Sequence, residues 1–587
     1  MCGIFGYFDR SGASVSDETL RLMGQSIRHR GPDDEGVYSE PAIALGNQRL
    51  SVIDIEGGHQ PFISDDGQIV VVQNGEIFNH VELAAELAGS PFACRTHSDT
   101  EVLLRLYERD GLNFLNRLNG MFAFAILDRR KGALFLVRDR IGIKPLYVKD
   151  SGNRLVFGSE IKALAPALEA PTELDVEALY HFLTFNYVPT PHTMHSGVRH
   201  VMPGHVLEVT KSGAKEWRWW DLSQVEPEHD RPEKDWIEEF NAILDDAVRL
   251  RMRSDVPFGA FLSGGVDSST IVGLMARHTT SPVRTFCIGF DDPRYDEAPF
   301  AEAAAQRFGT DHVMRRVDPD MLDLWPMAIR HLDQPHGDIS FLPMYRVSEL
   351  AAEHVKVVLT GDGGDELFAG YDKYASFFGQ PGLDSLESEA FQRRYFESIS
   401  LFRDADKIAL LSPSIRGKVA GNDSFEVARE WFADVSHQDR INQALYLDMQ
   451  LLLSGNNLVK PDRMGMAVSI EARTPFLDYR MMEFAFRMPG ELKLKDGVTK
   501  YLYKKAVAPL IGDELAYRKK QMFTVPVGDW FRGRLKAYCR GHIESLAQKS
   551  DLFEANELRR LLDDHISQRH NNTRELRSLI AIDHWLS

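Results

Sequence analysis

The hydrophobic periodicity of this chain changes once, near residue 205, and no single repeated architecture accommodates both patterns. Before the change, short segments alternate in hydropathy and end in Gly-rich turns: CGIFGYF, AIALGNQRLSVID, QIVVVQNGEIF, GMFAFAILD, ALFLVRD and RLVFGSE. A period of two predicts antiparallel sheets. Two helical stretches interrupt them, SDETLRLMGQSIRHR and SDTEVLLRLYERDG, the second with Ser98 placed as an N-cap. The expected unit is α+β, with sheet packed on sheet. From Trp236 onward helices alternate with the continuous apolar runs VPFGAFL, VRTFCIGF and HVKVVLT, the pattern of a parallel sheet covered on both faces. Beyond about residue 375 the sequence reads as nearly all helix. The charged, Pro-bearing stretch KSGAKEWRWWDLSQVEPEHDRPEKD lies between the two textures and reads as a linker. The expected division is therefore 1–205, a linker over 206–235, and 236–587, since 587 residues exceed what one core organises.

The net charge of −18 is spread over both parts, −7 up to residue 205 (19 Lys/Arg against 26 Asp/Glu) and −11 thereafter (49 against 60). Neither is a basic footprint, so nucleic acid is not the expected partner. No apolar run is long enough to span a bilayer, and MCGIFGYFDRSG reaches Asp9 too early for a signal peptide, so the expectation is a cytoplasmic protein without a membrane partner. The cysteines at 2, 94, 287 and 539 form no C-x-x-C pair, which points away from a disulfide framework or a zinc site. Cys94, Cys287 and Cys539 read as small hydrophobes. Cys2 does not.

Removal of Met1 exposes Cys2 with its own α-amine, whose pKa of about 7.7–8.0 suits it to act as base for the thiol. Arg49 in NQRLSVID fits a two-pronged grip on an amino acid's α-carboxylate. Asp99 in THSDTE is placed for an α-ammonium, and Asn74-Gly75 in QNGEIFNH offers donors to a tetrahedral oxyanion. Each also has a plainer account: Arg49 in a surface ion pair, Asn74-Gly75 in a hairpin turn, Asp99 in the first turn of a helix.

A second set lies downstream. FGAFLSGGVDSSTIVGLMARH reads as strand, loop and helix, and Ser263, Gly264, Gly265, Asp267, Ser268 and Ser269 give small residues, amides and hydroxyls at a helix N-terminus, a seat for phosphate. No G-x-x-x-x-G-K-[ST] is present. Asp267 makes sense as a Mg²⁺ ligand, and Asp362, Asp365 and Glu366 in VKVVLTGDGGDELFAGY are placed to complete the metal site. Taken alone, that acidic Gly-rich segment is a turn, and Lys500 in GVTKYLYKKA is a solvated helix face.

MCGIFG, RHRGPDDEG, NQRLSVID, NGEIFNH, HSDTEV, GMFAFAI and RDRIGIKPLY resemble the glutaminase domain of N-terminal-nucleophile amidotransferases over the first 205 residues. SGGVDSS paired with GDGGDE resembles the ATP pyrophosphatases. Together they resemble the glutamine-hydrolysing asparagine synthetase family over nearly the whole chain. The resemblance implies an αββα sandwich of antiparallel sheets, then an α/β domain with a parallel sheet and a helical C-terminal extension. It implies Cys2 as nucleophile, Asn74 and Gly75 as oxyanion donors, and Arg49, Glu76, Asp99 and the backbone of Leu50, Ser51, Val52 and Ile53 around glutamine. It also implies adenine contacts at Leu262 and Ile288, backbone contacts at Thr360 and Gly361, and Mg²⁺ held through Asp267 and Asp365. Asp362 then assists acyl-adenylate formation, and Lys500 neutralises charge on the reacting intermediate. The implied partners are glutamine, ATP and an acceptor carboxylate, with a homodimer as the family expectation.

The expected chemistry is adenylation of the carboxylate, attack by ammonia released at Cys2, and departure of AMP; a dry channel for the ammonia is implied by the resemblance alone. Two departures bear on the acceptor. Asp338-Ile339-Ser340-Phe341-Leu342-Pro343 stands where family members commonly carry Thr-Ile-Arg, and Met522 in RKKQMFTVP stands where a Gly is usual. Aspartate is the first expectation, and a uronic-acid sugar of a surface-polysaccharide precursor the alternative. An ATP-independent sugar-phosphate aminotransferase conflicts with SGGVDSS, a β-lactam-forming ligase with Cys2, and a non-catalytic sensor with both sites.

Overall fold

The computed structural model describes residues 2–294, 296–318, 321–519 and 527–587. The first part is two six-stranded antiparallel sheets stacked face to face. One runs Val198–His200, Tyr147–Asp150, Arg154–Gly158, Cys2–Asp9, Ile43–Arg49, Asp34–Glu40; the other runs Gly213–Arg218, His205–Thr210, Ala133–Arg138, Gly120–Asp128, Ile69–Ile77, Phe62–Ile63. The strand Ile69–Ile77 shows why the sandwich holds. Val70 and Val72 point into the core between the sheets with Ile4, Leu45 and Leu127, whereas Ile69 and Val71 face outward beneath the helix Asp99–Asp110, beside Val102 and Leu106. Both faces of this strand are buried, whereas the edge strand Asp34–Glu40 keeps a clear period-2 alternation of burial. Helices close the outer faces and make the unit αββα, as expected. Ser98 caps Asp99–Asp110, its hydroxyl accepting from the Thr100 amide.

The expected linker over 206–235 is not one throughout. His205–Thr210 pairs with Ala133–Arg138, and Gly213–Arg218 pairs with it in turn, so the second sheet continues to Arg218. The charged turn Lys211-Ser212 hides a strand whose Leu207 and Val209 join the inter-sheet core while Val206 faces the outer one. Residues 219–232 make the crossing, and Glu233–Arg251 opens the second part as a helix.

That part is a five-stranded, all-parallel sheet in the order Asp311–Arg316, Arg284–Gly289, Phe258–Phe261, Val357–Leu359, Glu471–Arg473. Chain order reverses between Phe258–Phe261 and Val357–Leu359. The crevice beyond the carboxyl ends of such a pair is where open α/β sheets bind ligands, and SGGVDSS and TGDGGDE follow these two strands directly. Helices dominate after residue 371, broken by a π-helical segment, Met449–Asn457. No helix among the described residues is long and apolar enough to cross a membrane.

The two parts share a core. Leu50, Val52, Phe78 and Met121 of the first pack in one cluster with Leu262, Leu477 and Phe484 of the second.

Candidate functional site

Cys2 begins a central strand, paired in register with Arg49. Its amide donates to Asn74 Oδ1 (3.2 Å), and Asn74 Nδ2 donates to Ser159 Oγ (3.3 Å). The Asn74 amide thus spans the two sheets beside the thiol and keeps one N–H to spare. Burial pushes the Cys2 thiol up, and a hydrogen bond from the Leu50 amide with the Arg49 charge recovers part of the shift.

Asn74-Gly75 is no hairpin turn; it lies inside the strand Ile69–Ile77, opposite Ala123 and Phe122. Gly75 has φ 150°, and a Cβ there would lie 2.1 Å from the Met121 carbonyl oxygen, so only glycine fits. Arg49 is no surface ion pair either. Its guanidinium is buried and donates to the carbonyls of Ile53 (3.0 Å), Asp54 (2.7 Å) and Ile55 (3.1 Å). It folds the loop from Leu50 back beside the thiol, with the Ser51 amide donating to Asp33 and the Asp255 amide to the Val52 carbonyl. Asp99 does open its helix, and its carboxylate also accepts from the Ile77 amide (2.9 Å) and from Gln73 Nε2 (3.0 Å). Glu76 is buried close by; burial, then the charges of Glu471 and Asp99, hold its carboxyl well above the ordinary range. Every residue singled out around Cys2 is in one neighbourhood.

At the second crevice, Lys500 is not on a solvated face. It is 2% exposed, and its Nζ lies 2.6 and 2.7 Å from the two oxygens of Asp267 and 2.7 Å from Asp365 Oδ1. Burial alone would lower this ammonium, but the two carboxylates outweigh it and the net shift is upward. The Gly-rich loops touch: a Cβ on Gly361 would lie 2.6 Å from Asp267 Cβ. The Ser263 amide donates to Ser268 Oγ (3.2 Å), the Gly265 amide donates to Ser263 Oγ (3.3 Å), and Gly265 caps the helix Val266–His278. Leu262 and Ile288 sit at the ends of neighbouring strands, both buried, and Thr360 Oγ1 donates to Asp362 Oδ2 (2.7 Å). Burial, reinforced by the charges of Asp267 and Asp365, raises the Asp362 carboxyl; burial and Asp365 raise that of Glu366.

Among the described residues no three acidic, His or Cys groups form a ready-made metal cage. Asp267 and Asp365 are nevertheless two hard oxygen donors already drawn around one positive charge, that of Lys500. That donor set fits Mg²⁺, which is typically held by one or two carboxylates with substrate phosphates completing its shell.

Several polar residues here carry no local sequence signal. Lys460, on the helix Val459–Met466, bonds Asp338 Oδ2 (2.7 Å) and Ser340 Oγ (3.0 Å). The π-helical segment delivers Asn457, which donates to Glu366 Oε1 (2.5 Å) and to the Tyr371 hydroxyl (2.8 Å). A widened turn of this kind re-aims successive side chains, and the sequence GNN does not announce it. Met522 lies outside the described residues.

The chain matches the asparagine synthase family over residues 239–587 and the glutamine amidotransferase domain family over residues 1–220. It is 32% identical to asparagine synthetase [glutamine-hydrolyzing] 1 of Bacillus subtilis, over all of this chain and 96% of that protein. It is 31% identical to a putative asparagine synthetase [glutamine-hydrolyzing] of Mycobacterium tuberculosis, over all of this chain and 97% of that one. It is 29% identical to amidase chyE of Penicillium rubens, over 91% of this chain and 90% of the fungal protein. An antiparallel sandwich with a thiol at the start of a central strand, joined to a parallel sheet with a Gly-rich loop at its switch point, defines a two-part glutamine amidotransferase. This chain belongs to the asparagine synthase family and is a glutamine-hydrolysing ligase of that type, in a family that uses ATP as co-substrate.

Proposed function

We propose that the chain amidates a carboxylate through an acyl-AMP intermediate, with L-aspartate as acceptor and L-asparagine, L-glutamate, AMP and diphosphate as products. The observation that carries this reading is the convergence of Asp267, Asp365 and Lys500 at the sheet's switch point, in one folded body with the Cys2 cluster.

At the first site Cys2 attacks the glutamine amide carbon. Gly75 and the spare Asn74 N–H stabilise the oxyanion, and collapse to the thioester releases ammonia. Arg49, Glu76, Asp99 and the Leu50–Ile53 backbone bind glutamine. At the second site the Ser263–Ser268 loop, Thr360 and Gly361 seat the nucleotide, with Leu262 and Ile288 against adenine. Mg²⁺, held by Asp267, Asp365 and substrate oxygens, neutralises phosphate charge when bound. Lys500 stabilises the negative charge that builds as the acceptor carboxylate displaces diphosphate. Asp362, with its raised pKa, is suited to hold a proton beside the reacting group. Ammonia crosses the shared interface and attacks the acyl carbon. The deciding measurement is diphosphate release with ATP, Mg²⁺ and ammonia, screened over aspartate, uronic acids and nucleotide-linked uronates. Release with aspartate alone supports the reading; release with uronates alone replaces it.

A second reading keeps this chemistry and changes the acceptor to a uronic-acid sugar. Asp338-Ile339-Ser340, with no arginine in the stretch, favours it.

A further inference from the structure

The loop from Leu50 to Asp54, beside the Cys2 thiol, is held partly from across the border between the two parts. Asp54 is its knot. The residue sits at φ 50°, a left-handed conformation that side chains disfavour and that persists where the surroundings fix it. Its carbonyl accepts from Arg49 (2.7 Å), and its carboxylate accepts from the amides of Gly57 (2.9 Å) and His97 (2.8 Å), the latter two residues before Asp99. Those three partners belong to the first part. The Asp54 amide, however, donates to Asp255 Oδ2 (2.7 Å), and the Asp255 amide donates back to the Val52 carbonyl (2.9 Å). Asp255 belongs to the second part and stands three residues before the strand Phe258–Phe261.

Ser51 is braced from the same side. Its amide donates to Asp33 Oδ2 (2.8 Å), and that oxygen also accepts from Lys356 Nζ (2.7 Å). Lys356 immediately precedes the strand Val357–Leu359, and its amide donates to the carbonyl of Pro257, two residues from Asp255 (3.2 Å). Phe258–Phe261 and Val357–Leu359 are the neighbouring strands at the switch point of the parallel sheet. SGGVDSS and TGDGGDE leave their carboxyl ends; Asp255 and Lys356 stand at their amino ends. One pair of short strands therefore has the Gly-rich loops at one end and the braces of the Leu50–Asp54 loop at the other.

We infer that Asp255 and Lys356 are positioning residues for glutamine, which set the backbone of the loop that receives it. This rests on the reading that places glutamine against the Leu50–Ile53 backbone. Cys2 and Gly75 lie in the paired strands Cys2–Asp9 and Ile69–Ile77, and neither brace touches them. Loss of a brace then weakens glutamine binding and spares the chemical step. Asp255 is exposed and Lys356 half-buried, so removing either side chain leaves no uncompensated charge in the core.

The test is steady-state glutamine hydrolysis by the full chain, with KM and kcat read separately. Asp255→Ala and Lys356→Met are each expected to raise KM for glutamine about 5- to 10-fold, the scale of one hydrogen bond to a charged group, and to leave kcat within about twofold. Asp255→Asn keeps an acceptor for the Asp54 amide and Lys356→Arg keeps a donor for Asp33, and both restore most of the parental KM. A merely structural role would lower kcat together with the urea midpoint and leave KM in place. That pattern, or a parental KM in both Asp255→Ala and Lys356→Met, overturns the inference. Arg49→Lys, which gives up the fork that holds three loop carbonyls, separates the inference from the reading beneath it. If its KM rises while those of Asp255→Ala and Lys356→Met do not, the loop receives glutamine without help from the second part, and the inference alone fails. If all three keep the parental KM, glutamine binds elsewhere and the reading fails with it.

Discussion

Arg30 and Asp462 meet in a two-pronged contact between the two parts of the chain, Nη1 2.9 Å from one carboxylate oxygen and Nη2 3.0 Å from the other. Arg30 also donates to Glu160 (2.8 Å) and to the carbonyl of Cys2 (3.2 Å), and Asp462 lies two residues from Lys460. One guanidinium therefore touches the backbone of Cys2 and the helix that carries Lys460. Burial would raise the Asp462 carboxyl, but Arg30 and Lys144 outweigh it and hold it below its usual range.

Removing one partner of a fully buried pair leaves the other uncompensated, which costs about 3–5 kcal/mol, whereas removing both costs less. Arg30→Leu is expected to lower the urea midpoint strongly, and Arg30→Leu/Asp462→Leu to fall short of the sum of the single changes. Additive midpoints would show that the contact contributes nothing as a pair.

Cys2→Ala is expected to abolish glutamine-supported synthesis while ammonia-supported synthesis persists within about twofold, because the second site owes none of its groups to the thiol. Diphosphate release measured with each nitrogen source decides it. Loss with both sources would mean that the two sites are not chemically separate.

Lys500→Met removes the cation between Asp267 and Asp365 and leaves two carboxylates facing incoming phosphates. Diphosphate release is expected to fall about 100-fold or more, the scale of losing one aligned electrostatic stabiliser. Glutamine hydrolysis is expected to stay near the parental rate. Equal diphosphate release in variant and parent would take Lys500 out of the chemistry.

How much of this was legible in the sequence depends on where the signal lies. Periodicity and turn residues announce both folds because each strand or helix writes its own pattern. The hairpin of His205–Thr210 and Gly213–Arg218 was hidden by surrounding charge, since an edge strand with one solvated face reads like a linker. Around Cys2 the residues stand in short runs that strand pairing brings together, so local motifs pick out neighbours in the fold. Lys500 needed tertiary information: nothing near GVTKYLY says that the ammonium turns inward onto an aspartate 233 residues away. Asn457 needed more still, a π-helical turn that re-aims its side chain onto Glu366.

His336 supplies a test of the surroundings of Asp338 that needs no substrate. Its ring is 4% exposed, stands beside Asp338 and accepts from the Asp338 amide (3.3 Å); burial pushes it from 6.5 down to about 4. Above pH about 6.5 neither the folded nor the unfolded chain binds this proton, so the group leaves stability unchanged. As pH falls through that value the unfolded chain takes the proton up while the folded chain refuses it until about pH 4, so stability declines across the window. A pKa difference of this size corresponds to about 3 kcal/mol. His336→Asn keeps an acceptor near the position of Nδ1 and removes the titration. Denaturation midpoints between pH 7 and pH 4 are expected to fall less steeply for the variant than for the parent, while their difference at pH 7 reports only the change in packing. Parallel profiles would mean that the ring titrates alike in both states and that the pocket beside Asp338 is wetter than its burial implies.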